Sequence, residues 1–185
     1  LINLCELNKI EWVIAVPHNI IGPKQKYDDP FRNVVSIMLN RMLQNKAPII
    51  YGDGEQKRCF SYIDDCLSCL VPMKDQKNLN KQIINIGPDE EFVTINKVAE
   101  ICSNITGINL KPIYKPDRPK EVKHASCSAD KARKLLNYKT TIDLNTGILN
   151  TFEYIKARGP KPFDYHINVE ILNELTPSTW VKKEI

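Results

Sequence analysis

Two short apolar runs constrain this chain more than anything else in it. Trp12-Val13-Ile14-Ala15-Val16 is continuous, ends at Pro17, and suits a strand buried on both faces. Ile83-Ile84-Asn85-Ile86, stopped by Gly87-Pro88, reads the same way. The segments around them carry helical spacing. Phe31 to Lys46 places Val34, Val35, Met38, Met42 and Leu43 on one wide apolar face. Thr94 is positioned to cap a helix with Ile95, Val98, Ala99, Cys102 and Ile105 on one side, and Gly107 stops it. Asp64 and Asp65 open a helix toward Met73, limited by Pro72. Ser128 caps a helix through Leu135 and Leu136, and Asp143 opens another with Leu144, Ile148, Phe152 and Ile155 facing inward. Shorter strands are expected at Pro48-Ile49-Ile50-Tyr51, at Arg58-Cys59-Phe60-Ser61-Tyr62 and at Leu110 to Tyr114. Strands alternating with helices predict an α/β architecture with a parallel sheet.

Composition narrows the function. In 185 residues there is no apolar stretch of about 18, so no spanning helix and no membrane partner are expected. Lys plus Arg is 26 against 22 Asp plus Glu, a net +4 that suits anionic small molecules as easily as nucleic acid. No helix clusters Lys and Arg, so the nucleic-acid reading is set aside. Six cysteines are scattered, mostly among apolar neighbours. Cys66 and Cys69 form a C-x-x-C inside a helical pattern with no second pair. The expectation is buried free thiols in a reducing cytoplasm and no metal site; His124 and His166 lack partners at ligand spacing. Neither G-x-S-x-G nor H-E-x-x-H occurs.

Three segments could carry chemistry. Pro17-His18-Asn19-Ile20-Ile21-Gly22-Pro23 follows a buried strand, where open α/β sheets bind ligands. Asn19 there either donates its amide to an anionic oxygen or closes an Asx-turn. Tyr51-Gly52-Asp53-Gly54-Glu55-Gln56-Lys57-Arg58 has Lys57 where a dinucleotide fingerprint needs its last Gly, so it reads as a hairpin-like turn that delivers Arg58. Lys115-Pro116-Asp117-Arg118-Pro119-Lys120-Glu121 is stiffened by two prolines. Arg58 and Arg118 are either a bidentate grip on phosphate oxygens or solvated surface cations; Glu121 is either an acceptor for a hydroxyl pair or an exposed acid.

Taken in order, P-H-N-I-I-G-P, then P-I-I-Y-G-D-G-E-Q-K-R-C-F-S-Y-I-D-D, I-N-I-G, R-P-K-E-V and Asp130-Lys131-Ala132 resemble the C-terminal half of an extended short-chain dehydrogenase/reductase. The resemblance, over roughly Leu1 to Ala157, is to the NAD-dependent nucleotide-sugar epimerase/dehydratase family. It implies the C-terminal portion of a Rossmann-type parallel sheet plus a small α/β nucleotide-sugar-binding domain, NAD as cofactor, and a nucleoside-diphosphate sugar, such as a UDP-sugar, as ligand. By that resemblance Asn19, Arg58 and Arg118 hold the diphosphate. Tyr51 lies against the base, Glu121 holds the ribose, and Pro17 and His18 lie near the nicotinamide. Residues 1–26 would end the NAD-binding domain, 27–61 belong to the substrate-binding domain, 62–93 return to the first, 94–158 lie mainly in the second, and 159–185 form a C-terminal arm.

The chain departs from the family pattern at several places. Cys59 replaces an acid, Lys120 a Gly, Glu121 an Asp and Val16 a frequent Arg. By the spacing of the family it resembles, the catalytic Tyr-x-x-x-Lys is expected upstream of Leu1; Leu1-Ile2-Asn3-Leu4-Cys5-Glu6-Leu7 reads as a helix already under way, as in a C-terminal fragment. The expected activity of the intact protein is that of a UDP-hexose 4-epimerase, working through a 4-keto sugar; this segment alone is expected to be inactive. A 4,6-dehydratase, decarboxylase or reductase would share the same clamp, and a non-catalytic nucleotide-sugar-binding module is the reading from another class. Family members are commonly homodimers.

Overall fold

In the computed structural model, residues 1–168 and 170–185 are described; residue 169, within the expected arm, lies outside the described residues. The chain opens with helix α1 (Ile2–Leu7), strand β1 (Val13–Pro17) and the short β2 (Ile20–Ile21). Helix α2 (Val34–Leu43), β3 (Ile49–Tyr51), β4 (Lys57–Arg58) and β5 (Ser61–Tyr62) follow, and then α3 (Ile63–Met73). Strand β6 (Gln82–Ile86), β7 (Val93–Thr94) and α4 (Ile95–Thr106) come next. The chain ends with β8 (Ile113–Lys115), α5 (Asp130–Leu136), α6 (Leu144–Arg158) and α7 (Ser178–Val181). No helix among the described residues is long and apolar enough to cross a membrane.

The expected parallel pairing is present. β1 runs parallel to β6 with Val13 opposite Gln82 and Pro17 opposite Ile86. β2 pairs in parallel with β5, and β3 with β8, while β4 and β7 are antiparallel. Two expectations about strands are corrected. The run Arg58 to Tyr62 is two strands, because β4 turns to β7 and β5 turns to β2, leaving Cys59 and Phe60 between them. The Tyr51–Arg58 turn is not a hairpin either, since β3 and β4 pair with different partners. Gly52 (φ 65°) and Gly54 (φ 76°) take the left-handed backbone this turn requires.

The helices follow their end signals closely. α2 starts at Val34 rather than Phe31, with Asn33 accepting from the Val35 N–H. Thr94 accepts from the Lys97 N–H at 3.1 Å, and Gly107 closes α4 at φ 71°. Asp143 accepts from the Thr146 N–H at 2.9 Å and caps α6. Ser128 accepts from the Asp130 N–H, but Ala129 occupies the cap position of α5. Pro72 sits in the last turn of α3, which runs one residue past it.

Two apolar clusters form. The first joins α2, α4 and α6: Val35, Met38, Leu39, Met42, Ile50, Val98, Cys102 and Ile148 are all fully buried there. Gly147 lets α6 approach β2 and β5 closely, since a Cβ there would come within 3.1 Å of Ile21 and 3.3 Å of Tyr62. The second cluster joins α3, α5 and β6, with Cys66, Cys69, Leu79, Ile84, Ile86 and Ala132 buried and Val13 and Ala15 of β1 packed beside them. β1 itself is not buried on both faces as its sequence predicts; Val13, Ile14 and Ala15 are half-buried and Val16 is exposed. Among the described residues only β6 hydrogen-bonds to it, and its other side has no covering layer.

Candidate functional site

Five of the seven expected site residues line one cleft: Asn19, Tyr51, Arg58, Arg118 and Glu121. They arrive from four places. β1 ends and turns at Asn19, β3 ends at Tyr51, β4 supplies Arg58, and the proline loop after β8 supplies Arg118 and Glu121. Because β3 and β8 run in parallel, both end at this cleft, with Tyr51 opposite Lys115. Parallel strand ends are where such folds gather ligand-binding loops.

The two arginines are held differently. Arg58 is anchored: its guanidinium donates to Glu121 at 3.1 Å and to the carbonyls of Lys57 (2.8 Å) and Lys123 (3.3 Å). Arg118 places its guanidinium carbon over the Tyr51 ring, 4.0 Å from its centre. Its Nε is buried and has no hydrogen-bond partner. An unpaired buried guanidinium N–H is costly. Glu121 is not a free acceptor: it ion-pairs with Arg58, both side chains mostly buried.

In the proline loop Lys120, at the position where Gly was expected from the resemblance, adopts the left-handed φ of 57°. Glu121 N–H donates to the Arg118 carbonyl at 3.2 Å, closing a tight turn with Pro119 and Lys120 at its centre. The Asx-turn considered for Asn19 is not among the described hydrogen bonds. Asn19 sits at φ 30°, and its side-chain amide donates to the Cys59 carbonyl at 2.9 Å, which ties the end of β1 to the segment beside Arg58.

Pro17 and His18 stand apart from this cleft, at the carboxyl end of the β1–β6 pair. His18 N–H donates to the Ile86 carbonyl at 2.9 Å, and its own carbonyl accepts from the Ser61 hydroxyl at 2.7 Å. Sequence reasoning missed other lining residues. Phe31, Gln56, Phe60 and Ile95 come from loops and helix ends with no distinctive pattern. The expected arm also reaches the site: Thr179 hydrogen-bonds the Tyr51 hydroxyl, Glu184 ion-pairs with Lys115 at 3.1 Å, and Ile185 lines the cleft. Trp180 packs edge-on against Phe31, 5.4 Å between ring centres. The six cysteines carry no disulfide. Burial pushes the Cys66 thiol up to about 11, in line with an inert packing residue.

Comparison with known proteins fits this geometry. Residues 1–87 match the model of the NAD dependent epimerase/dehydratase family, and the chain belongs to that family. A provisionally named UDP-glucose 4-epimerase of Methanocaldococcus jannaschii is 34% identical over 149 residues, 80% of this chain and 46% of its own length. The UDP-N-acetyl-alpha-D-glucosaminuronate decarboxylase of Bacillus cytotoxicus is 27% identical over 144 residues, 75% of this chain and 44% of its own. The crystal structure of the Bacillus cereus UDP-glucuronic acid 4-epimerase with UDP-glucuronic acid and NAD superposes at a TM-score of 0.76, with 30% identity over 84% of this chain and 50% of that one. The chain thus spans about half the length of the relatives it matches.

Proposed function

We propose that this chain is the part of an NAD-dependent nucleotide-sugar epimerase that grips the nucleoside diphosphate of a UDP-sugar. The observation that carries the reading is Arg118: its guanidinium lies over the Tyr51 ring and it lines the cleft that also receives Arg58 and Asn19. Two guanidiniums and an amide suit a diphosphate, whose oxygens are spread over two centres. In this role Arg58 is preset by Glu121 and two carbonyls, so little side-chain freedom is lost when an anion binds. Tyr51 is assigned to the base through the ring surface that Arg118 leaves open, and Glu121 to the ribose through whatever acceptor capacity its pairing with Arg58 leaves.

Pro17 and His18 fit one edge of an NAD site. They lie where two parallel strands open at their carboxyl ends, and the His18 backbone is fixed by Ile86 and Ser61. NAD, when bound, would take a hydride from the sugar and return it. This chain's own residues bind and orient; the general base and its lysine are assigned to the rest of the intact protein. Turnover by residues 1–185 alone would overturn that division. The reaction proposed is 4-epimerisation of a UDP-hexose. Decarboxylation is the second reading, supported by the decarboxylase relative and by a clamp that both reactions can use. The same reading places the intact protein in the cytoplasm as a homodimer, the first part supported by its unbridged thiols.

The test is UDP-sugar affinity of the intact protein. Arg118→Ala and Arg58→Ala should each weaken binding by roughly 2–4 kcal/mol if each guanidinium contacts phosphate out of water. Unchanged affinity in both variants removes the clamp assignment.

A further inference from the structure

His18, Cys59 and Cys127 have no part in the cleft just described, yet the fold brings them together. One ring nitrogen and two sulfurs from these residues all lie within 4.8 Å of one another. Among the described residues this is the one group of three or more His, Cys, Asp or Glu side chains gathered so tightly. His18 leaves the end of β1, Cys59 lies between β4 and β5 beside Arg58, and Cys127 lies ahead of α5. Cys59 is buried at 1% exposure, while His18 and Cys127 are half-buried.

We propose that His18, Cys59 and Cys127 form a metal site for a borderline-soft divalent ion of the zinc class, bound by one imidazole and two thiolates. The donor set selects the ion. Thiolates favour zinc or cuprous ions, and the absence of a carboxylate or carbonyl oxygen among the three disfavours magnesium and calcium. Zn–S near 2.3 Å and Zn–N near 2.0–2.1 Å put tetrahedral ligand atoms about 3.5–3.8 Å apart. A separation of at most 4.8 Å closes to that by side-chain rotation of about an ångström.

Charge also balances. On binding, each thiol gives up its proton to solvent, so Zn²⁺ plus two Cys–SH becomes a neutral Zn(S–Cys)₂ unit with the neutral imidazole as third ligand and two protons released. A neutral complex is cheap to hold in a half-buried place. The fourth tetrahedral position is left to a water molecule or a small ligand, as three protein ligands leave it elsewhere. A metal here would pin the end of β1 to the backbone beside Arg58 and to the entry of α5. This inference does not rest on the nucleotide-sugar reading.

The experiment uses the full-length protein, reduced and stripped of metal by a chelator, and titrated with Co²⁺ and then Zn²⁺. One equivalent of Co²⁺ should give thiolate charge-transfer absorption and the strong visible bands of a tetrahedral ion, both displaced by Zn²⁺. Cys59→Ser and Cys127→Ser should each lower affinity at least a hundredfold, His18→Ala at least tenfold, and Cys5→Ser should leave it unchanged. X-ray absorption on the zinc-loaded wild type needs no variant: two sulfurs at about 2.3 Å and one nitrogen at about 2.0 Å are expected. The proposal falls if the reduced wild type shows no such bands, if both serine variants keep them, or if the zinc shell is all nitrogen and oxygen. It falls too if Cys59 and Cys127 prove to be a disulfide pair that takes up no metal once reduced.

Discussion

The two apolar clusters share a chain but not a condition. In the α2–α4–α6 cluster the inward side chains are enclosed on every side, and the cleft is built on its edge. The β1–β6 layer with α3 and α5 is enclosed on one side only. Val16 is 37% exposed, Ile83 46% and Val71 59%, and Leu4 and Leu7 of α1 lie almost bare. An apolar strand needs a layer on each face to be buried, and this chain supplies one of the two. The first cluster is therefore a complete core that can hold a binding site in place. The second is half of a sandwich whose apolar residues on the open face contribute little until something covers them.

Mutations can break this contrast. The largest expected effect is Leu39→Ala, which removes a fully buried side chain from the closed cluster and should cost about 2–5 kcal/mol. Ile83→Ala on the open face should change stability by less than about 0.5 kcal/mol in the same chain. Denaturant unfolding of both variants decides it, and equal losses would mean the open face is covered after all. Next comes the stitch between the two regions. Asp65 of α3 accepts from the backbone N–H groups of Thr141 (3.1 Å) and Ile142 (3.3 Å), just ahead of α6, and from the Thr141 hydroxyl. Asp65→Ala strands those donors and should cost about 1–3 kcal/mol, with amide hydrogen exchange rising at Thr141 and Ile142.

A smaller effect is expected at the cleft loop. Lys120→Gly relieves a left-handed residue and should stabilise the chain by about 1 kcal/mol or less, read as a higher Tm. The smallest concerns the ion pairs of α5. Hydrogen bonding from Arg133 holds the Asp89 carboxyl down at about 2, below the ordinary carboxylate value. Its stabilising share is complete above the unfolded value of about 4 and is lost as pH falls through about 2. In Asp89→Asn the unfolding free energy should fall less steeply over that window. The effect is modest because the pair is partly open to water.

How much of this was legible beforehand differs by element. Helix ends were readable because a cap is a local event: Thr94, Gly107 and Asp143 act on residues within four positions of themselves. The cleft was readable because each of its residues sits in a segment with a marked pattern, and their collinear order resembled a known family. What failed were two readings that depend on a distant partner. Arg58 to Tyr62 read as one strand because its apolar pattern is continuous; pairing to two different neighbours cut it in two. β1 read as doubly buried because its composition says so, and composition cannot report a missing layer.

Residue order alone settled the alternation of strands and helices, the helix ends marked by Thr94, Gly107 and Asp143, and which segments carry Asn19, Arg58 and Arg118, since these follow from local backbone preference and apolar period. Tertiary structure decided that Arg118 would stack on Tyr51 with an unsatisfied N–H, that Arg58 would be held by Glu121, and that the arm would reach the cleft through Thr179 and Ile185. It also decided that His18, Cys59 and Cys127 would meet. None of these contacts is within one element. Each joins segments far apart in the sequence, and the parallel pairs β1–β6 and β3–β8 set where several of those segments end.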